Sequence, residues 1–93
     1  MKVKIKESDI LKQARDYLEM KGWFVIRVQQ GLVCHKGISG LIAVKNGKTY
    51  FIEIKVPGGI LSEYQKNLQK EIWDHGGEYI VIDSMEDLFL FKL

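Results

Sequence analysis

The chain has a single cysteine and no long apolar run, and each scarcity removes a class of protein. Cys34 alone cannot form an internal disulfide. That excludes a disulfide scaffold and a multi-cysteine zinc site, and it fits a reducing cytoplasm. Nothing approaches the roughly 18 apolar residues of a membrane-spanning helix, so no membrane role is expected. The opening MKVKIKESD runs from basic to polar without an apolar segment, which is not the pattern of a secretory signal. There are no repeats, no low-complexity stretches and no internal linker.

What is present is a balanced globular composition. Of 93 residues, 46% are apolar and 28% charged, enough for one core and not two, so residues 1–93 are expected to form one domain. The net charge of +2 hides an asymmetry. Residues 1–50 carry ten Lys and Arg against four Asp and Glu, a net +6; residues 51–93 carry four against eight, a net −4. A basic half can face phosphates while an acidic half holds metal or solvates the far side; an unevenly charged surface with no partner fits the same count.

Hydrophobic spacing sets the order of elements. Ile10, Leu11, Ala14, Tyr17 and Leu18 recur at helical intervals, with Ser8 as N-cap and Gly22 closing a helix over about residues 9–21. Trp23–Val28 is aromatic and β-branched, hence a strand. Gln29–Ser39 reads as a long loop. Leu41–Val44 and Thr49–Val56 are strands joined through Asn46-Gly47, since both central residues of a type I′ turn need positive φ. Pro57-Gly58-Gly59 ends the third strand. Ser62 and Gln65 form a capping box, and Tyr64, Leu68 and Ile72 mark the buried stripe of a helix that stops at Gly76-Gly77. Glu78–Asp83 contains a short strand buried on both faces, and Ser84 caps a last helical turn or two through Leu88 and Phe91. The order α-β-β-β-α-β-α implies an α/β fold, a mixed sheet flanked by helices.

The chemistry is concentrated in Phe51-Ile52-Glu53-Ile54-Lys55, two ionisable residues inside an apolar strand. Alternation puts Glu53 and Lys55 on one face. Burying charges there is costly unless they are paired or bind a metal, although a solvated edge strand with a Glu–Lys pair gives the same triplet. Register adds a third position. With Asn46 and Gly47 as a two-residue loop, Lys45 faces Lys48, Leu41 faces Ile52 and Gly40 falls opposite Glu53. Directly opposed residues project to one face with Cβ atoms about 5 Å apart. A carboxylate at position 40 would thus share a divalent metal with Glu53, beside the Lys55 ammonium, which is the geometry of a phosphodiesterase.

Lys36-Gly37-Ile38-Ser39-Gly40-Leu41-Ile42 followed by Phe51–Lys55 resembles the core of PD-(D/E)xK, restriction-endonuclease-like nucleases. The continuation Pro57-Gly58-Gly59-Ile60-Leu61-Ser62-Glu63-Tyr64-Gln65, with Gly76-Gly77, Val81–Ser84 and Asp87-Leu88, is similar to the virus-type replication-repair nuclease (VRR-NUC) family. The resemblance implies a Mg²⁺- or Mn²⁺-dependent endodeoxyribonuclease that cuts branched DNA such as Holliday junctions and acts as a homodimer. It makes Glu53 a metal ligand, Lys55 the catalytic lysine and the Ile54 carbonyl a further ligand. Gln65 matches a catalytic-pocket glutamine, a position the capping box also explains, and Glu7 matches a metal-site glutamate, which a favourable helix dipole also explains. The departure is Ser39-Gly40, where the family has Pro-Asp. No Asp or Glu lies between Glu19 and Glu53 to replace the lost ligand, so impaired cutting is expected.

Arg27, His35, Lys36, Lys45 and Lys48, on the loop and hairpin flanking this position, are candidate phosphate contacts or ordinary solvated cations. Cys34 and His35 are adjacent, poor geometry for a shared metal. Trp23 and Trp73 read as core residues rather than stacking platforms. Two other readings remain: an inactive DNA-binding module with the same fold, and a small interaction domain without a nucleic-acid role.

Overall fold

The structure is a computed structural model that describes residues 4–29 and 40–93. Helix α1, Glu7–Met20, leads into strand β1, Phe24–Val28. Strands β2, Gly40–Lys45, and β3, Lys48–Ile54, form the hairpin. Helix α2, Glu63–Asp74, crosses to strand β4, Glu78–Ile82, and a short helix α3, Met85–Leu90, follows. The sheet order is β1-β2-β3-β4, antiparallel at the first two junctions and parallel at the third. A parallel neighbour needs a crossover, and α2 is that crossover.

The hairpin has the register expected from its turn. Leu41 pairs with Ile52 and Lys45 with Lys48, while Asn46 at φ 51° and Gly47 at φ 78° supply the two positive φ values. On one sheet face Leu41, Ala43, Ile52, Ile54, Ile80 and Ile82 pack with Ile10, Ala14 and Leu18 of α1, with Trp23, and with Leu88 of α3. Each of these large side chains contributes on the order of 1.5–3 kcal/mol by leaving water. Glu53 alternates with Ile52 and Ile54 and so points to the opposite face, where it meets Gln65 of α2.

Several local expectations are revised. Helix α1 starts at Glu7, so Ser8 lies inside its first turn and Lys6 is the N-cap. Asp9, three residues on, accepts the Lys6 backbone N–H at 3.4 Å, so the reciprocal carboxylate set the start rather than a capping hydroxyl. Gly22, at φ +92°, closes α1 as its sequence suggests, with Trp23 N–H donating to the Leu18 carbonyl. On α2 the inward positions are Gln65 and Leu68, and Tyr64 is exposed. The helix is turned so that Gln65 can reach a buried charge. Trp73 consequently lies outside the core, 55% exposed, with its indole N–H donating to the Tyr79 carbonyl at 3.2 Å, whereas Trp23 is buried as expected.

Helix α2 packs against β4, and among the described residues none of the helices covers the β1 side of that sheet face. Phe24 and Ile26, which share that face, are 67% and 42% exposed on an edge strand. No helix among the described residues is long and apolar enough to cross a membrane.

Candidate metal and nuclease site

Strand β3 carries Glu53 into the interior near its end, and the carboxylate is only 3% exposed. Its Oε1 accepts from Gln65 Nε2 at 2.9 Å and lies 3.9 Å from Lys55 Nζ. Lys55 stands one residue beyond β3, where its backbone N–H donates to the Ile82 carbonyl at 2.9 Å and keeps the ladder in register. Both readings of Gln65 are satisfied together. Its Oε1 accepts the Ser62 N–H at 2.9 Å, the Ser62 hydroxyl accepts the Gln65 N–H at 3.2 Å, and its Nε2 is left to hold Glu53. The helix cap thus orients the amide that orients the carboxylate.

Glu53 and Ile54 line a cavity of about 330 Å³ together with Glu7 and Ser8 at the start of α1, Arg27 of β1 and Gly40 of β2. The fold therefore brings Glu7, separated from Glu53 by most of the sheet in sequence, onto the same wall. A larger cavity of about 570 Å³ lies between α1 and the start of α3 and contains none of the sequence-derived candidates. The hairpin lysines face each other beside the turn, as the register predicts. Lys45 and Lys48 flank the turn, and Lys48 is five residues from Glu53, roughly 17 Å along β3. Lys36 and His35 lie outside the described residues.

Gly40 needs a correction of a different kind. The hairpin register brings it beside Glu53, yet its φ is +84°, and a Cβ built there would lie 2.2 Å from the Ile52 carbonyl oxygen and 3.4 Å from Glu53 Cα. A side chain on this backbone would be driven into β3 rather than projected alongside the Glu53 side chain. Freed from the steric limits on other residues, glycine has taken a conformation that an aspartate would resist. The site has adapted to glycine and is not simply an aspartate site with one atom group removed.

Sequence reasoning missed Tyr79. Its ring is buried on β4, its hydroxyl has no hydrogen-bond partner among the described residues, and burial followed by the nearby Glu53 charge holds its ionisation well above the usual range. Only the parallel register, Tyr79 beside Phe51 and Val81 beside Glu53, brings it there, and no short turn advertises that register.

The oxygens around this cavity are of the kind a hard divalent cation takes. Glu53, Glu7 and the Ile54 backbone carbonyl offer oxygens of the right kind in one cavity, but among the described residues no group of three acidic, His or Cys side chains is close enough to hold an ion. The set fits such a cation in chemistry and falls short in number.

A four-stranded mixed sheet with an antiparallel hairpin, a parallel fourth strand and helices on both faces is a restriction-endonuclease-like α/β core. More particularly, a solved structure described as a VRR_NUC domain matches this chain with a TM-score of 0.75, covering 87% of each chain at 18% identity, so the chain has a VRR-NUC-like fold. No family model and no curated protein matches its sequence.

Proposed function

We propose that this chain is a metal-dependent endodeoxyribonuclease domain for branched DNA such as Holliday junctions, with cutting impaired by Gly40. The observation that carries the reading is the buried Glu53 carboxylate, held by Gln65 and Lys55 and opening onto a cavity shared with Glu7. An ionised group taken so far out of water costs several kcal/mol unless partners or a cation offset it. A purely structural sheet gains nothing from placing it beside a cavity.

In this reading Glu53, Glu7 and the Ile54 carbonyl hold Mg²⁺ or Mn²⁺. Such a cation, when bound, would supply Lewis-acid polarisation of a phosphate oxygen and a more acidic water. Lys55 places its ammonium beside Glu53, where it orients the attacking water or offsets charge developing on the phosphate. Gln65 fixes the rotamer of Glu53, and Arg27, on the cavity wall, meets a neighbouring phosphate. With position 40 contributing no oxygen, the cation is held weakly, and an inactive DNA-binding module with this fold is the second reading that Gly40 favours. Phe24 and Ile26, exposed among the described residues on an edge strand whose one charged residue is Arg27, support a homodimer. The single cysteine supports a cytoplasmic setting.

The test is cleavage of a panel of duplex, fork and four-way junction DNA with Mg²⁺ or Mn²⁺. Slow cutting that Glu53→Gln abolishes supports the enzyme. Salt-dependent binding without cutting supports the inactive module, and neither binding nor cutting rejects both.

A further inference from the structure

Tyr79 stands on β4 beside Phe51 of β3, two residues before Val81, which is paired with Glu53. Alternation gives Phe51, Glu53 and Tyr79 one sheet face, the face that Gln65 reaches from α2. The Tyr79 ring is 4% exposed, and the Trp73 indole clamps this part of β4 to α2 by donating to the Tyr79 carbonyl at 3.2 Å. A phenylalanine would fill the same space, as Phe51 does on the neighbouring strand. The hydroxyl is what needs a purpose, since it is buried and has no hydrogen-bond partner among the described residues. Leaving it dry costs free energy that a phenyl ring avoids, and buried polar groups are nearly always paired with protein or with ordered water.

Burial, and after it the Glu53 charge, keeps this phenol neutral above its usual range. The two groups are therefore close, yet no direct hydrogen bond joins them. A polar pair that is near but unbonded in a protein interior is the setting in which one water bridges. The neutral phenol donates to such a water and the water donates to a carboxylate oxygen, so both buried groups are satisfied. Gln65 and Lys55 both meet Glu53 at Oε1, from α2 and from its own strand. A bridge from β4 holds the carboxylate from a different side.

We infer that an ordered water links the Tyr79 hydroxyl to the Glu53 carboxylate, and that Tyr79, resting on the cation reading of Glu53 above, is a positioning residue of that site. Gln65 and Tyr79 together restrain the carboxylate, so a cation meets an oxygen that is already aimed. Partners of this outer kind change metal affinity without touching the ion. The hydroxyl thus serves the site and not the fold, because the ring alone supplies the packing.

The experiment compares the full chain with Tyr79→Phe, which keeps the ring and is checked for an unchanged melting transition near neutral pH, in Mn²⁺ titrations followed by electron paramagnetic resonance. The expected result is affinity about tenfold weaker with one site per chain retained, the low end for losing an outer partner because a water intervenes. Equal affinities in the two proteins overturn the positioning role while leaving the cation reading intact. Crystal structures of both proteins without metal give the second readout. The parent is expected to show a water within about 3.2 Å of both Tyr79 Oη and a Glu53 oxygen, and Tyr79→Phe to lack it. A parent without that water, or with the hydroxyl bonded elsewhere, overturns the link whatever the titration gives. If the parent binds no Mn²⁺, the cation reading has failed, and the water alone decides whether Tyr79 restrains Glu53.

Discussion

Placing a side chain at position 40 measures how far the site has adapted to glycine. Gly40→Ala adds only a Cβ, and on the present backbone that atom lies 2.2 Å from the Ile52 carbonyl oxygen at φ +84°. A left-handed conformation costs an L-residue about 1–2 kcal/mol, and the contact, more than 1 Å too short, forces the start of β2 to move. Together they predict a loss of about 2–4 kcal/mol. Gly40→Asp carries the same backbone cost and adds repulsion from Glu53, so without metal it is the less stable of the two. If its carboxylate reaches a cation shared with Glu53, Mn²⁺ restores stability by binding linkage, about 2.7 kcal/mol at a hundredfold excess over Kd, and slow Mn²⁺-dependent cutting returns. Urea denaturation of the parent and both variants, with and without Mn²⁺, separates these terms, the alanine variant reporting the backbone alone. An alanine variant within 0.5 kcal/mol of the parent would refute the backbone argument. An aspartate variant that gains nothing from Mn²⁺ would refute the shared-ion geometry.

Other substitutions probe the remaining parts. Glu53→Gln keeps an acceptor for Gln65 and is expected to fold within about 1 kcal/mol of the parent, whereas Glu53→Ala strands Gln65 and Lys55 and costs about 3–5 kcal/mol in urea titrations. Lys55→Ala leaves the fold intact and removes whatever cutting the Gly40→Asp form shows; unfolding would mark a structural ion pair instead. Tyr79 has its folded ionisation raised, so its contribution to stability is complete below the ordinary tyrosine range near pH 10 and is lost as pH rises beyond it. Tyr79→Phe should therefore flatten the alkaline fall in melting temperature at little cost near neutrality, its hydroxyl having no partner among the described residues. Light scattering at tens of micromolar should report a dimer that Phe24→Glu dissociates; a monomeric parent contradicts the homodimer.

The legible parts of the sequence were those written in short-range chemistry. Asn46-Gly47 fixed the turn, the turn fixed the register, and the register put residue 40 next to Glu53 without any long-range information. Ser62 and Gln65 announced a helix start that turned out also to aim the amide at Glu53. What could not be read depended on tertiary contacts or on glycine. The parallel pairing that brings Tyr79 near Glu53 is made through a crossover helix whose length sets no register. The rotation of α2 that exposes Tyr64 and Trp73 follows from the Gln65–Glu53 contact, which outweighs the apolar spacing along the helix. The positive φ of Gly40 has no sequence signature, because glycine permits either hand and only the packed β3 backbone selects one.

In the proposed function, the cavity beside Glu53 holds a divalent cation through that carboxylate. Titrating Mn²⁺ into the parent and into Glu53→Gln, with the free ion followed by electron paramagnetic resonance, tests it without requiring catalysis. The parent should show one weak site per chain that the glutamine variant lacks. Binding of equal strength and stoichiometry in the two proteins would show that Glu53 is not a ligand.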